Sequence, residues 1–149
     1  MKILLNGYKG RMGQAISAAA QAAGAEIVAK CDIGETFTAE AVASCDVAID
    51  FSFHEVTPAL AEACAAAGKP LVIGTTGHTA EERARIEAAA KTIPIVWAGN
   101  YSVGVNVLNW LVGKAAKLLD PSFEIEVPVC CRSSDRGWFF QPFEQLYCC

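Results

Sequence analysis

The sequence predicts an α/β domain, a doubly wound parallel sheet wrapped by crossover helices. Three observations point there. From the first residue to about Val127, apolar β-rich runs alternate with Ala-rich stretches of helical character. Most of those apolar runs are unbroken rather than alternating, as strands covered on both faces are. The first run also ends in a glycine-rich turn that opens a helical stretch, the junction at which such sheets hold ligands.

The elements follow in order. A strand at Ile3 to Leu5 precedes a helix from Arg11 to Ala23, stopped by Gly24. A second strand, Glu26 to Cys31, and a short helix near Ala39 to Ser44 lead to a third strand at Val47 to Asp50. The helix from Pro58 to Ala67 ends at Gly68, with Pro70 beyond it, before a fourth strand at Leu71 to Ile73. Thr79-Ala80-Glu81-Glu82 is a capping box that starts a helix over Ala80 to Lys91. Strands at Ile95 to Trp97 and Phe123 to Val127 flank a last helix, Val105 to Leu119.

At 149 residues, with 53% hydrophobic and 19% charged, the chain has enough apolar content for one cored domain and too much for a disordered one. A formal charge of −4 offers no basic surplus for nucleic acid or an anionic membrane. Before Asn6 and Gly7 there are too few apolar residues for a secretory signal, and Glu62, Lys69 and several glycines keep every Ala-rich run below the roughly 18 apolar residues of a membrane span. The expected location is the cytoplasm. Of seven cysteines, Cys31, Cys45 and Cys64 lie in apolar or Ala-rich segments and read as small buried thiols. Cys130-Cys131 and Cys148-Cys149 are adjacent pairs, without the spacer that lets two thiolates reach one zinc ion, so no metal site is expected.

Composition changes after Val127. Residues 128–149 hold four of the seven cysteines and five of the thirteen aromatics but no Ala, Lys or His. They read as an atypical tail rather than a second domain, because 22 residues cannot bury a core unaided. The domain itself is read as residues 1–127.

The chemistry begins at Gly7-Tyr8-Lys9-Gly10-Arg11-Met12-Gly13, between first strand and first helix. Glycines there let backbone approach a diphosphate, and the helix start supplies amides and partial positive charge. Gly13 is expected to let helix and strand pack closely. Asp32, about twenty residues past the loop at the end of the second strand, is placed to accept hydrogen bonds from an adenosine ribose; the alternative is a solvated strand-end carboxylate. Lys9 and Arg11 could meet a 2′-phosphate, which Asp32 would repel, and the choice between NADH and NADPH stays open. Gly74-Thr75-Thr76-Gly77 and Ala98-Gly99-Asn100-Tyr101-Ser102 sit at carboxyl ends of strands and are expected to face the nicotinamide half; ordinary capped turns are the alternative.

Other machinery is missing. Neither Gly68-Lys69-Pro70 nor Gly113-Lys114-Ala115 has the hydroxyl residue that a Walker loop needs after Lys. Tyr101 lacks a Lys four residues on, and His54 and His78 are isolated, which reads as structural or exposed.

Taken together and in order, the Gly7–Gly13 loop, Asp50-Phe51-Ser52, Gly74-Thr75-Thr76-Gly77 and Asn100-Tyr101-Ser102-Val103-Gly104-Val105-Asn106 resemble the amino-terminal, Rossmann-type domain of the dihydrodipicolinate reductase (4-hydroxy-tetrahydrodipicolinate reductase) family of bacterial lysine and diaminopimelate biosynthesis. The likeness covers about residues 1–127. It implies a cofactor site for NADPH or NADH. Gly7, Tyr8, Lys9, Gly10, Arg11 and Met12 would take the pyrophosphate, with Arg11 near any 2′-phosphate and Asp32 on the ribose. Gly74, Thr75 and Thr76 with Ala98, Gly99, Asn100 and Tyr101 would line the nicotinamide end. Ile33 stands where some members of the family carry Arg.

The likeness stops at Val127. The family continues into a His-His-x-x-x-Lys segment bearing its acid and substrate groups, whereas this sequence has no His after His78 and no Lys after Lys117. No catalytic residue can be carried over. The family's second domain, a sheet that binds the cyclic dicarboxylate substrate and builds a homotetramer, has no counterpart here either. The expectation is a cofactor half, inactive alone, with residues 128–149 an out-of-frame or chimeric continuation. The alternative is a non-catalytic dinucleotide-binding sensor or docking module.

Overall fold

Leu4 and Leu5 are both wholly buried although their side chains leave opposite faces of one strand, β1 (Lys2–Asn6), so that strand lies in a sheet covered on both sides. In the computed structural model, residues 1–119, 122–123, 129–133 and 137–141 are described, in two units, Met1–Ala98 and Gly99–Cys149. In the first, Ile3 and Leu5 pack with Ala20 of α1 (Arg11–Ala22) on one face. Leu4 points the other way, into a cluster with Val42 of α2 (Ala39–Ser44), Leu60 and Cys64 of α3 (Thr57–Ala67) and Ile86 of α4 (Ala80–Ala89). Burying one such leucine stabilises the domain by about 1.5–3 kcal/mol, and Leu4→Ala would leave a cavity costing about 2–5 kcal/mol.

The sheet also contains β2 (Glu26–Cys31), β3 (Val47–Asp50), β4 (Leu71–Ile73) and β5 (Ile95–Trp97), all parallel, in the order β2-β1-β3-β4-β5. This is the α/β, Rossmann-type architecture that the alternating runs predict. The chain goes out from β1 to β2, then returns to place β3 on the other side of β1. That reversal opens a crevice at the carboxyl ends of β1 and β3, where Asn6 registers with Asp50 and Asp50 with Ile73.

Four of the first five strands begin and end where the sequence places them, and β1 is longer by one residue at each end. Gly24 and Gly68 both take positive φ beyond their helices, at 67° and 65°. The Thr79 capping box forms in full: its hydroxyl accepts from the Glu82 amide at 3.2 Å while Glu82 accepts from the Thr79 amide at 2.7 Å. Among the described strands of this sheet β2 and β5 lie outermost, and both are less buried than the unbroken apolar runs imply; Val96 is 56% exposed.

In the second unit, α5 spans Val103–Ala116, two residues earlier at its start than expected because the Ser102 hydroxyl caps it, accepting from the Val105 amide. Among the described residues no helix is long and apolar enough to cross a membrane. β6 (Val129–Ser133) and β7 (Gly137–Gln141) form an antiparallel ladder within the stretch read as a tail, where strand-favouring Val129, Trp138, Phe139 and Phe140 outweigh the lack of periodicity. The expected strand at Phe123 to Val127 lies, from Glu124 onward, outside the described residues, as do 128, 134–136 and 142–149 of the tail.

Candidate functional site

The three glycines between β1 and α1 have different reasons to be glycine. Gly7 has a φ of 86°, and a Cβ there would collide with the Phe51 carbonyl group. A Cβ on Gly13 would overlap the backbone of Gly7 and Tyr8, so the close approach expected between helix and strand is in fact one between the helix and its own entry loop. Gly10 is under no such pressure. Its φ of −69° suits any residue, and a Cβ would meet only the Gly7 carbonyl oxygen, at 3.4 Å.

Gly10 is also the residue that starts α1, and it contributes no side-chain cap. Thr38, Thr79 and Ser102 cap α2, α4 and α5 with their hydroxyls. The first amides of α1, at the positive end of its dipole, are therefore left without a side-chain cap among the described residues, at the carboxyl edge of the sheet. Arg11 and Met12 occupy the same exposed first turn.

The loop is docked on the end of β2. The Gly7 amide donates to the Cys31 carbonyl at 2.8 Å, and Asp32 Oδ2 accepts from the Lys9 amide at 2.7 Å. Asp32 Oδ1 accepts from the Ile33 amide at 2.8 Å. These two amides, that of Lys9 foremost, hold the Asp32 carboxyl below its usual range, and a carboxylate has lone pairs left for further donors. Lys9 Nζ lies 5.3 Å from the centre of the Tyr8 ring and Lys30 Nζ 5.7 Å, so Tyr8 serves as a platform for two ammonium groups.

Across the crevice, the fully buried Asp50 ties three strand ends together. Asn6 Nδ2 donates to its Oδ1 at 2.9 Å, joined by the Ser52 hydroxyl. Thr57 and Thr75 donate to Oδ2 at 2.6 and 3.0 Å. Thr75, only 5% exposed, also accepts from the Ser52 amide at 2.9 Å. Its hydroxyl is thus used inside the protein, which leaves its backbone for any ligand. A Cβ at Gly74 would overlap the Phe51 ring, so Phe51 is wedged between the Gly7 and Gly74 turns.

Sequence reasoning gave Asn6 and Thr57 no place in the site, and it quoted Asp50, Phe51 and Ser52 without a role. The one available signal was an Asp closing an apolar run. His78, read from the sequence as structural or exposed, is the former. It is buried, neither ring nitrogen has a hydrogen-bond partner among the described residues, and its ring meets Trp97 edge-on at 5.2 Å. Burial pushes its pKa down. Nearby, His54 Nδ1 lies 3.0 Å from both oxygens of the Glu82 carboxylate.

Gly7 to Met12, Asp32, Gly74 to Thr76 and Ala98 all belong to the first unit, with the Ala98 amide donating to Ile73 at 3.2 Å. Gly99, Asn100 and Tyr101 belong to the second. There Asn100 Oδ1 accepts from the Ser102 amide at 2.7 Å, and Asn106 Nδ2 donates to the carbonyls of Asn100 and Ser102 at 3.2 and 2.9 Å. The turn into α5 is fixed by those bonds.

The family model described as "Dihydrodipicolinate reductase, N-terminus" matches residues 1–101. A 4-hydroxy-tetrahydrodipicolinate reductase of Akkermansia muciniphila is 52% identical in an alignment covering 85% of this chain and 52% of that protein. One of Caulobacter vibrioides is 44% identical over 85% of this chain and 53% of its own length. One of Anaeromyxobacter sp. is 52% identical over 53% of this chain and 30% of its own. The chain spans about half the length of the first two of these relatives.

Proposed function

The chain belongs to the dihydrodipicolinate reductase family, and on that premise we propose that residues 1–127 are its NAD(P)H-binding domain. The observation that carries this reading is the start of α1. Gly10 leaves room that the protein's own packing does not require, directly above amides that no described side chain caps, and a diphosphate fits that room and those amides. Gly7 to Met12 would hold the diphosphate, Asp32 the adenosine ribose, and Gly74, Thr75, Thr76 and Ala98 the nicotinamide end; Gly99, Asn100 and Tyr101 are proposed as cofactor residues from the family likeness alone. The Asp50 node sets the spacing of the strand ends that carry these loops. When bound, the reduced nicotinamide supplies a hydride.

Substrate is proposed from the relatives' name, 4-hydroxy-tetrahydrodipicolinate, reduced to tetrahydrodipicolinate. A hydride acceptor of this kind needs a positioned acid, and the sequence has no His after His78 and no Lys after Lys117 to match the family's acid segment. The 149-residue chain therefore binds cofactor without turning over substrate, and the family's homotetramer is not assigned to it.

Calorimetric titration with NADH and NADPH tests the reading together with Gly10→Ser. Serine is a good helix cap, so this variant keeps or raises Tm while its hydroxyl and Cβ intrude on the diphosphate; a loss of about tenfold or more in affinity is expected. Heat from neither dinucleotide, or unchanged affinity in Gly10→Ser, overturns the assignment. Turnover by the isolated chain at the rate of whole reductases overturns the inactive half of it.

A further inference from the structure

The loop after β2 carries a second carboxylate that the cofactor reading does not use. Asp32, Ile33, Gly34 and Glu35 form a turn closed by the Glu35 amide on the Asp32 carbonyl at 2.8 Å, with Gly34 at a φ of 81° that suits the third position of a type II turn. The turn folds Glu35 back over the glycine loop. Glu35 Oε1 meets Lys9 Nζ at 2.7 Å, while Asp32 holds the Lys9 amide at 2.7 Å. One lysine is thus gripped by two acids, its ammonium by Glu35 and its backbone by Asp32. The Glu35 partner also raises the Lys9 pKa, so the ammonium stays charged and engaged.

We propose that Glu35 is a specificity-determining residue that withholds Lys9 from an adenosine 2′-phosphate and so biases the site toward the dinucleotide with a free 2′-hydroxyl. The proposal rests on the cofactor reading above. A ribose hydroxyl needs only an acceptor, which Asp32 supplies, and leaves the Lys9–Glu35 pair intact. A 2′-phosphate placed at Asp32 meets that carboxylate's repulsion and can recruit Lys9 only in competition with Glu35, whose own carboxylate is held beside the same ammonium and repels the phosphate. Ile33, 85% exposed, brings no compensating charge. Glu35 pairs with the Lys9 ammonium and is none of the residues assigned to the cofactor, so its effect should fall chiefly on the 2′-phosphorylated ligand.

The test is calorimetry of the full chain and its Glu35→Gln variant with NADH and NADPH. Freeing an exposed lysine and removing one repelling charge should tighten NADPH binding roughly threefold to fivefold, and NADH should stay within about twofold. The gain should shrink in high salt, as an exposed charge effect must. Lys9→Gln/Glu35→Gln, which has lost the cation as well as the repelling charge, should bind NADPH no tighter than the unaltered chain does. The proposal is overturned if Glu35→Gln shifts both dinucleotides equally or neither, or if the NADPH gain survives loss of Lys9. If the unaltered chain binds neither dinucleotide, the cofactor reading itself has failed, a result distinct from binding with unchanged preference.

Discussion

Asp50 is the residue on which the crevice most depends. Its oxygens receive four side-chain donors from β1, the β3 end, α3 and the loop after β4. Asp50→Ala would leave buried polar groups of Asn6, Thr57 and Thr75 without their acceptor, a loss of at least about 3 kcal/mol. Chemical denaturation should show this as a lower midpoint with little change in slope; a shift under about 1 kcal/mol would mean that water replaces the carboxyl. Little of this node was legible in the sequence. The glycine loop was, because its meaning lies in local spacing and in its place between an apolar run and a helix. Asp50 meets Asn6 and Thr75 from 44 and 25 positions away, so only the folded register brings them together. Even within the loop, sequence could not tell that Gly7 and Gly13 answer to packing while Gly10 does not.

At the scale of elements, the connection from β4 to α4 carries a pH-dependent weakness. His78 is buried there against Trp97 with neither nitrogen paired among the described residues, and burial lowers its pKa from the unfolded value near 6.5. Glu82 and Asp50 pull the pKa up, Arg83 and His54 push it down, and desolvation prevails. A folded pKa below the unfolded one means that stability is intact above about 6.5 and is lost as pH falls through the folded value. Tm should therefore drop between about pH 7.5 and 5.5, and His78→Phe should flatten that slope. An identical slope in the variant would assign the pH dependence elsewhere. Element boundaries were the most legible feature of this chain, since Gly24, Gly68 and the Thr79 box act within one turn of the residues that they terminate or start. The start of α5 was placed two residues late, at Val105, because Ser102 was assigned first to a ligand-facing loop and only as the alternative to a cap.

For the molecule as a whole, the strand order puts every first-unit candidate residue on one edge of one sheet, so a ligand there should protect segments far apart in sequence. Hydrogen exchange with saturating NADH is expected to slow residues 7–13, 31–35 and 74–77, and to leave the exposed face of α4, Ala80–Ala89, unchanged. Ligand at about a hundred times its Kd should stabilise the unit by about 2.7 kcal/mol. Uniform slowing across all of Met1–Ala98 would instead report global stabilisation without a located site. The class of the fold was legible because unbroken strands and Ala-rich helices alternate; the crevice was legible only as a consequence of that class.

The sealed thiols of the first unit carry one more implication. Cys64 lies wholly inside the sheet–helix interface, and burial pushes its pKa up to about 12. Cys45 is equally enclosed and Cys31 nearly so. An alkylating reagent can attack such sulfurs only during a breathing event that parts helix from sheet. Peptide-resolved mass of adducts at 31, 45 and 64 thus turns three inert side chains into clocks, each timing how often its own corner of the interior comes apart.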